Sequence, residues 1–436
     1  MTQHPHPRST DVLEAASTLA ADVFDARAAT WDRERRYCWD NIDDLRRHGV
    51  LGMTLPAELG GRGVDYTKAC KVIEEIAGAC ALTARVVVET NMGAVGAILA
   101  YGTEPQKRRA AELVLAGDKP AICITEPSAG SAATDMQTTA TPFGGGWRLN
   151  GIKHWITGGG ISRLHLVFAR VLDERGGDLG IGGFIVEADP ANGRLPDGFR
   201  IVRHERTLGL CGMPEAELHF DNVFVSADQV LAPPGGFKRG FAQLMTAYNG
   251  QRIGAASVAI GIARGALARA KAYALHREQF GRPIAEFQGL QWMIADMETG
   301  VHAAQLMIAD AAATRAVDGL PFPEMAAAAK AKLFASETAI RVVDEALQIF
   351  GARGYGSEEP LERMYRDVRM FTIGGGTAQV LRTQIAADAL GIRTPQTRDG
   401  YARGPRSLGG EAPRSMQGMA HSDRANAASG LADAAE

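Results

Sequence analysis

The chain has 436 residues, 46% of them hydrophobic and 22% charged, with a formal net charge of −3. That is enough for two or three packed units with a large core, and the near-neutral balance argues against nucleic acid or an anionic membrane surface as a partner. Cys38, Cys70, Cys80, Cys123 and Cys211 form neither a CxxC pair nor a ligand spacing with histidine, so neither a disulfide framework nor a metal is expected.

The opening residues, MTQHPHPRSTDVLEAA, lack the basic start and apolar run of a signal peptide, which makes the cytoplasm the expected location. Residues 11–118 then read as helical. DVLEAASTLAADVFDARA, WDNIDDLRRHGV and DYTKACKVIEEIAGACA carry apolar residues at three- and four-residue spacing, and Gly60-Gly61-Arg62-Gly63 marks a loop. Residues 119–233 change character. WRLNGIKHWITGG, LHLVFARVL, IGGFIVEA and AELHFDNVFV are short β-rich runs divided by Gly, Asn, Asp and Pro, which predicts an antiparallel sheet or small barrel. Residues 238–393 return to long amphipathic helices, as in a bundle, interrupted at Asp318-Gly319-Leu320-Pro321-Phe322-Pro323. Residues 402–436, rich in Gly, Ala, Ser and charge, bury too little to offset their ordering entropy and are expected to be disordered. No stretch of eighteen apolar residues occurs, so no membrane partner is expected.

Five short motifs stand out. They are Cys123-Ile124-Thr125-Glu126-Pro127-Ser128-Ala129-Gly130-Ser131, Trp155-Ile156-Thr157-Gly158-Gly159, and Arg277-Glu278-Gln279-Phe280-Gly281-Arg282-Pro283-Ile284 with Phe287-Gln288. Next come Gln348-Ile349-Phe350-Gly351-Ala352-Arg353-Gly354-Tyr355-Gly356, and Arg366-Asp367 followed by Ile373-Gly374-Gly375-Gly376-Thr377-Ala378-Gln379. Taken singly, most read equally well as a turn, a helix cap or a strand with one core aromatic. In this order, between these blocks, they are similar to the acyl-CoA dehydrogenase family.

The resemblance implies an α+β fold: an N-terminal helical domain, a central antiparallel β-barrel or sheet, and a C-terminal helical bundle. It implies FAD as cofactor, a CoA-thioester substrate and a homotetramer. The flavin is assigned to Ile122, Ile124, Thr125, Ser131, Trp155, Thr157, Arg277, Phe280, Gln288, Gln348, Ala352, Gly375, Thr377 and Gln379. Arginine suits the diphosphate because its planar fork gives two charge-assisted hydrogen bonds, and small residues let backbone approach the isoalloxazine ring. Arg277 and Phe280 would reach the FAD of a neighbouring subunit. The family's aspartate after Gly-Ser is here Ala132.

The family removes the α-proton of the thioester with a glutamate. Most members place it directly before the Gly-Thr of the fifth motif, where this chain has Gly375. Another branch places it before an arginine early in the bundle, where this chain has Gln251, in Asn249-Gly250-Gln251-Arg252. Glycine has no side chain, and an amide takes up no proton near neutral pH. Glu126 is the available substitute, although the family carries a glutamate there as well. Arg85, in the otherwise apolar ALTARVVVETNMGAVGAILA, needs an anionic partner. Spacing offers Glu89, four residues on; the alternative is an anion on the substrate's acyl chain.

Taken with the resemblance, these departures imply a pocket that releases an anionic group. Arg85 and Gln251 would be its catalytic residues, and Arg85, Ser131, Gln251 and Arg252 would bind substrate. The group would be a sulfinate lost as sulfite without net oxidation, so that no electron-transfer flavoprotein is required. A dehydrogenase with a relocated base and a silent acyl-CoA-binding flavoprotein remain as alternatives.

Overall fold

The computed structural model of the chain describes residues 11–315 and 322–392. The expected disordered stretch at 402–436 and most of the break at 318–323 lie outside the described residues.

The first block is a run of helices: α1 (Val12–Leu19), a π-helical turn (Ala20–Phe24), α2 (Asp25–Arg33), α3 (Trp39–Arg47), α4 (Tyr66–Ala79), α5 (Ala81–Asn91), α6 (Ala94–Tyr101) and α7 (Glu104–Leu115). Their starts are legible in local chemistry. Asp65 caps α4 by accepting from the Lys68 N–H, and Thr103 with Gln106 forms a capping box on α7.

Strands β1 (Ala121–Cys123), β2 (Thr139–Phe143), β3 (Gly146–Thr157), β4 (Leu164–Leu172), β5 (Asp178–Glu187), β6 (Phe199–His204), β7 (Glu215–Ser226) and β8 (Val230–Leu231) follow. They form one sheet in the order β6-β7-β3-β2-β4-β5-β8, with β1 also on β4. Of the expected antiparallel barrel or sheet, the structure has the sheet, but not a wholly antiparallel one. β1 and β2 both run parallel to β4, at successive stretches of it, and the sheet is mixed and open. β1 is too short to show its direction through any alternation of residues.

The last block contains α8 (Gly236–His276), a two-strand ribbon of β9 (Glu278–Gln279) and β10 (Arg282–Pro283), α9 (Gln288–Ala313), α10 (Met325–Phe350), α11 (Ala352–Tyr355), α12 (Leu361–Val368) and α13 (Ala378–Leu390). One apolar cluster runs from Val12 on α1 through α4, α5 and α8 to Phe371, so the two helical blocks share a core. The sheet has its own core, and a third cluster joins β4 and β5 to α6 and α8.

Small residues let α8 lie close against α4 and α5. A Cβ at Gly261 would fall 2.4 Å from the Glu74 carbonyl oxygen, and one at Gly265 2.3 Å from that of Gly78. Further along, Gly254 faces Val88 and Met92. This packing brings Arg85 and Glu89 of α5 up to Gln251 and Arg252 of α8.

The segments Ala81–Tyr101 and Gly236–His276 are long and apolar enough, by windowed hydropathy, to cross a membrane. The count of consecutive apolar residues missed them because Arg85 and Glu89 interrupt one and scattered polar residues interrupt the other. Both are core helices: 94% and 83% of their most apolar windows are buried.

Gly261→Ala is expected to destabilise the fold. It gains about 1 kcal/mol in helix propensity, but it forces backbone apart, and overpacking costs about 1–3 kcal/mol. With the contact at backbone rather than at a flexible side chain, the second effect should win, and the urea midpoint should fall.

Candidate active site

Gly375 has φ +73, and a Cβ placed there would meet nothing closer than the Lys332 Cε at 3.9 Å. No carboxylate replaces the missing side chain at that point. Lys332, fully buried on α10, donates from Nζ to the Gly376 carbonyl at 2.6 Å. Burial, with repulsion from Arg252 and Arg85, brings its ammonium down to about 7. Arg252, also buried, donates to Asn249 Oδ1 at 2.8 Å and reaches the Gly375 carbonyl at 3.4 Å; burial lowers its affinity for the proton.

Gln251 is 2% exposed, and its Nε2 donates to Glu89 Oε1 at 2.8 Å. The same oxygen receives Arg85 Nη2 at 2.5 Å. Arg85 therefore does pair with Glu89, as the four-residue spacing proposes, although two buried polar atoms stay without a partner: Arg85 Nε and Gln251 Oε1. Gly93, at φ +68, makes room for the amide, since a Cβ there would sit 1.9 Å from Gln251 Oε1.

Two ionisable groups absent from the sequence reading join this cluster. Lys119, just before β1, is 2% exposed and donates to the Thr157 carbonyl at 2.8 Å. Burial lowers its proton affinity; Arg85 repels it, and Glu89 and Glu215 oppose the shift. Glu215 opens β7 directly opposite Thr157 of β3. It accepts the Thr157 hydroxyl at 2.9 and 3.0 Å, and burial pushes its carboxyl up to about 7 against that bond and the charges of Arg85 and Lys119. Arg85, Lys119, Arg252 and Lys332 thus outnumber the carboxylates of Glu89, Glu215 and Asp118 around them. Lys332 had a readable signal, because it shares its helical phase with the buried Ala328, Ala335 and Ala339. Glu215 had none without the strand register.

The residues assigned to a flavin fall into separate groups. Ile122, Ile124 and Thr125 lie on and just after β1, and the Thr125 carbonyl accepts the His154 N–H at 2.9 Å, which ties the first motif to the second. Trp155 sits in a bulge of β3 at φ 59, stacked on His154 and 52% exposed. Ser131 is exposed. Arg277, Phe280 and Ala352 line one surface cavity of about 400 Å³ beside Tyr273 and Phe350, while Thr377 and Gln379 line another of about 380 Å³. Gln288 and Gln348 are exposed and line neither. Thr377 also caps α13. Phe280 is 94% exposed, and Gly130, Gly281 and Gly351 each face open space where a Cβ would be. Uncovered aromatics beside a guanidinium and open glycine backbone fit a flat, phosphate-bearing cofactor.

Glu126 is already fully engaged. Lys153 Nζ donates to its Oε1 at 2.8 Å, with the backbone N–H groups of Thr138 and Gln137 at 2.9 and 2.5 Å. It is a structural anion rather than a free base. On the outer face, His154, Glu205 and Glu217 come together within 4.8 Å, but Arg203 bridges the two carboxylates at 2.7 and 2.8 Å, in the role a cation would have.

Comparison with known proteins follows this geometry. Domain models described as acyl-CoA dehydrogenase N-terminal, middle and C-terminal domains match residues 7–118, 121–223 and 238–390. A protein of Variovorax paradoxus named 3-sulfinopropanoyl-CoA desulfinase is 53% identical over 393 residues, covering 90% of this chain and 97% of its own. One of the same name from Paraburkholderia xenovorans is 54% identical, covering 88% and 96%. Among solved structures, a glutaryl-coenzyme A dehydrogenase in complex with glutaryl-CoA is 32% identical with a TM-score of 0.80, covering 90% of this chain and 98% of that one.

Glu126→Gln should cost about 3–5 kcal/mol at neutral pH, because it strands the buried Lys153 ammonium. Burial raises the Glu126 carboxyl, but the Lys153 charge and its hydrogen bonds hold it below its ordinary value. Its stabilising contribution is therefore present above the unfolded pKa of about 4.3 and lost as pH falls through the lower folded value. Denaturation curves of variant and parent should begin to converge as pH falls below about 4.3 and meet only below the depressed folded value.

Proposed function

The chain belongs to the acyl-CoA dehydrogenase family, and we propose that it is an FAD-containing desulfinase that converts 3-sulfinopropanoyl-CoA and water to propanoyl-CoA and sulfite. The carbon–sulfur bond breaks, hydrogen goes to carbon and hydroxyl to sulfur, so no external electron acceptor is consumed. The observation that carries this reading is the charge of the acyl pocket. Both positions for the α-proton base lack a carboxylate, and buried cations exceed carboxylates around Arg85.

Ile122, Ile124, Thr125, Ser131, Trp155 and Thr157 would hold the flavin ring. Arg277, Phe280, Gln288, Gln348, Ala352, Gly375, Thr377 and Gln379 would hold the rest of the FAD, partly from a neighbouring copy in a homotetramer. FAD, when bound, supplies the ring and ribityl hydroxyl against which the family holds a thioester. This chain's own residues do the remaining work. Arg85 takes the sulfinate, offering the Nε edge that has no partner in the protein. Arg252 and Lys332 fix the Gly375–Gly376 backbone beside the thioester, and Ser131 lies on the path of the CoA. Glutaryl-CoA, bound by a protein of the same fold, likewise carries an anionic end.

A dehydrogenase with a relocated base would draw on Glu215, whose carboxyl burial pushes well above the usual carboxylate range. Such an enzyme would bleach its flavin when mixed anaerobically with propanoyl-CoA or butanoyl-CoA.

Incubated anaerobically with 3-sulfinopropanoyl-CoA, the purified protein should release stoichiometric sulfite; none at all would end this reading. Arg85→Lys should keep its flavin spectrum and lose activity by about tenfold or more, the equivalent of one charge-assisted hydrogen bond at about 1.5–3 kcal/mol, since an ammonium lacks the planar fork.

A further inference from the structure

Arg85, Glu89 and Gln251 share one oxygen. Glu89 Oε1 accepts Arg85 Nη2 at 2.5 Å and Gln251 Nε2 at 2.8 Å, in a site where the three residues are 8%, 2% and 2% exposed. The orientation of the amide follows from this contact, because turned over it would point its oxygen at a carboxylate. A glutamate at 251 would instead bring two carboxylates to hydrogen-bond distance, where only one can stay ionised near neutrality. The amide donates to Glu89 and carries no charge. Its oxygen is lodged against Gly93, one of the few residues that would fit there. The guanidinium is pinned through Nη2, and its buried Nε has no partner in the protein.

We infer that Glu89 is a positioning residue that aims Arg85 at the anionic end of the substrate, and that Gln251 serves chiefly to hold Glu89 ionised and in place. This rests on the proposed binding of the sulfinate by Arg85. Gln251 is then not merely the remnant of a lost base: the amide is required by the carboxylate on α5. Electrostatics alone would favour removing Glu89, since a neutral residue there would leave Arg85 more attractive to an anion. Its presence in a nearly apolar helix follows from what the buried guanidinium needs, a charged partner that also fixes its direction, and not from any gain in attraction for the substrate.

The two contributions separate kinetically. In Glu89→Gln the attraction for the anion persists while the aim of Arg85 is lost, so kcat should fall at least about tenfold with KM unchanged or lower; kcat within twofold of the parent would overturn the inference. In Gln251→Glu a proton shared with Glu89 stands in for the amide at low pH. As pH rises through the raised pKa of the pair, both carboxylates ionise and repel. KM should therefore match the parent near pH 5.5 and exceed it at least about tenfold near pH 8.5. The charged and titratable groups around this pair are Tyr37, Arg85, Asp118, Lys119, Glu215, Tyr248, Arg252 and Lys332. They are common to both proteins, and the double variant, which keeps them all and a carboxylate at 251, separates their response from repulsion between residues 89 and 251.

The double variant Glu89→Gln/Gln251→Glu has one carboxylate and one amide again, and should lose this added pH dependence. If the dependence persists there, direct repulsion of the substrate by residue 251 explains it, and the inference fails. Gln251→Met, which has neither donor nor charge, serves if Gln251→Glu does not fold: it should lower kcat with a parent-like pH profile, and parent-like kcat would overturn the inference. Failure of the parent itself to release sulfite would sink the desulfinase reading instead. The pairing is then judged by thermal unfolding of Gln251→Glu, whose stability should be parent-like at low pH and lost as pH rises through the raised pKa. Parallel curves for variant and parent would show that the carboxylates do not interact.

Discussion

A guanidinium inside an apolar helix must have a carboxylate, and here one carboxylate oxygen anchors the whole pocket. Breaking a buried ion pair by removing one partner costs several kcal/mol, so Arg85 and Glu89 stand or fall together. The pair makes demands on its neighbours. Gln251 has to be uncharged and a donor, and Gly93 has to lack a Cβ, which would otherwise lie 1.9 Å from the amide oxygen. Gly254 and Gly261 let α8 approach closely enough for the amide to reach α5. Glycines on α8 and in the turn between α5 and α6 thus acquire a common cause.

The other end of the pocket follows a related logic. Where a base would project, the chain has a glycine in the left-handed region, with a buried lysine behind it holding the next carbonyl at 2.6 Å. Lys332 cannot be an ordinary solvated ammonium there: burial and the two neighbouring arginines bring it down to about 7. Its environment improves whenever an anion enters, and so do those of Arg252 and Lys119. The cations are less a stability device than a field, and what the field lacks is a mobile negative charge.

Much of this was legible from residues alone, and the exceptions have physical reasons. The Arg85–Glu89 pair followed from a helical spacing. It is local, so the sequence carries it. Glu215 was invisible because its role depends on standing opposite Thr157 across a sheet, and register is a tertiary fact. The sheet was expected, but its wholly antiparallel pairing failed on β1 and β2, whose parallel pairing with β4 leaves no signature in short strands. Arg277 with Ala352, and Thr377 with Gln379, line separate cavities, a grouping set by helix packing that the spacing of the motifs does not carry.

The missing base and the added arginine are often the kind of differences treated as independent. Charge argues otherwise. In 3-sulfinopropanoyl-CoA the sulfur is two bonds from the α-carbon, so a carboxylate placed to take the α-proton would lie close to the sulfinate oxygens. Two like charges about 4 Å apart repel by about 4 kcal/mol at an effective dielectric of about 20, nearly three orders of magnitude in affinity. A pocket that binds this substrate gains from losing the carboxylate before it gains anything from Arg85. Once the carboxylate has gone, neither family position offers a group that can abstract the proton. Glu89 survives because it faces the guanidinium and the amide. The same physics that evicts a carboxylate from one side of the acyl chain requires one on the other side of Arg85.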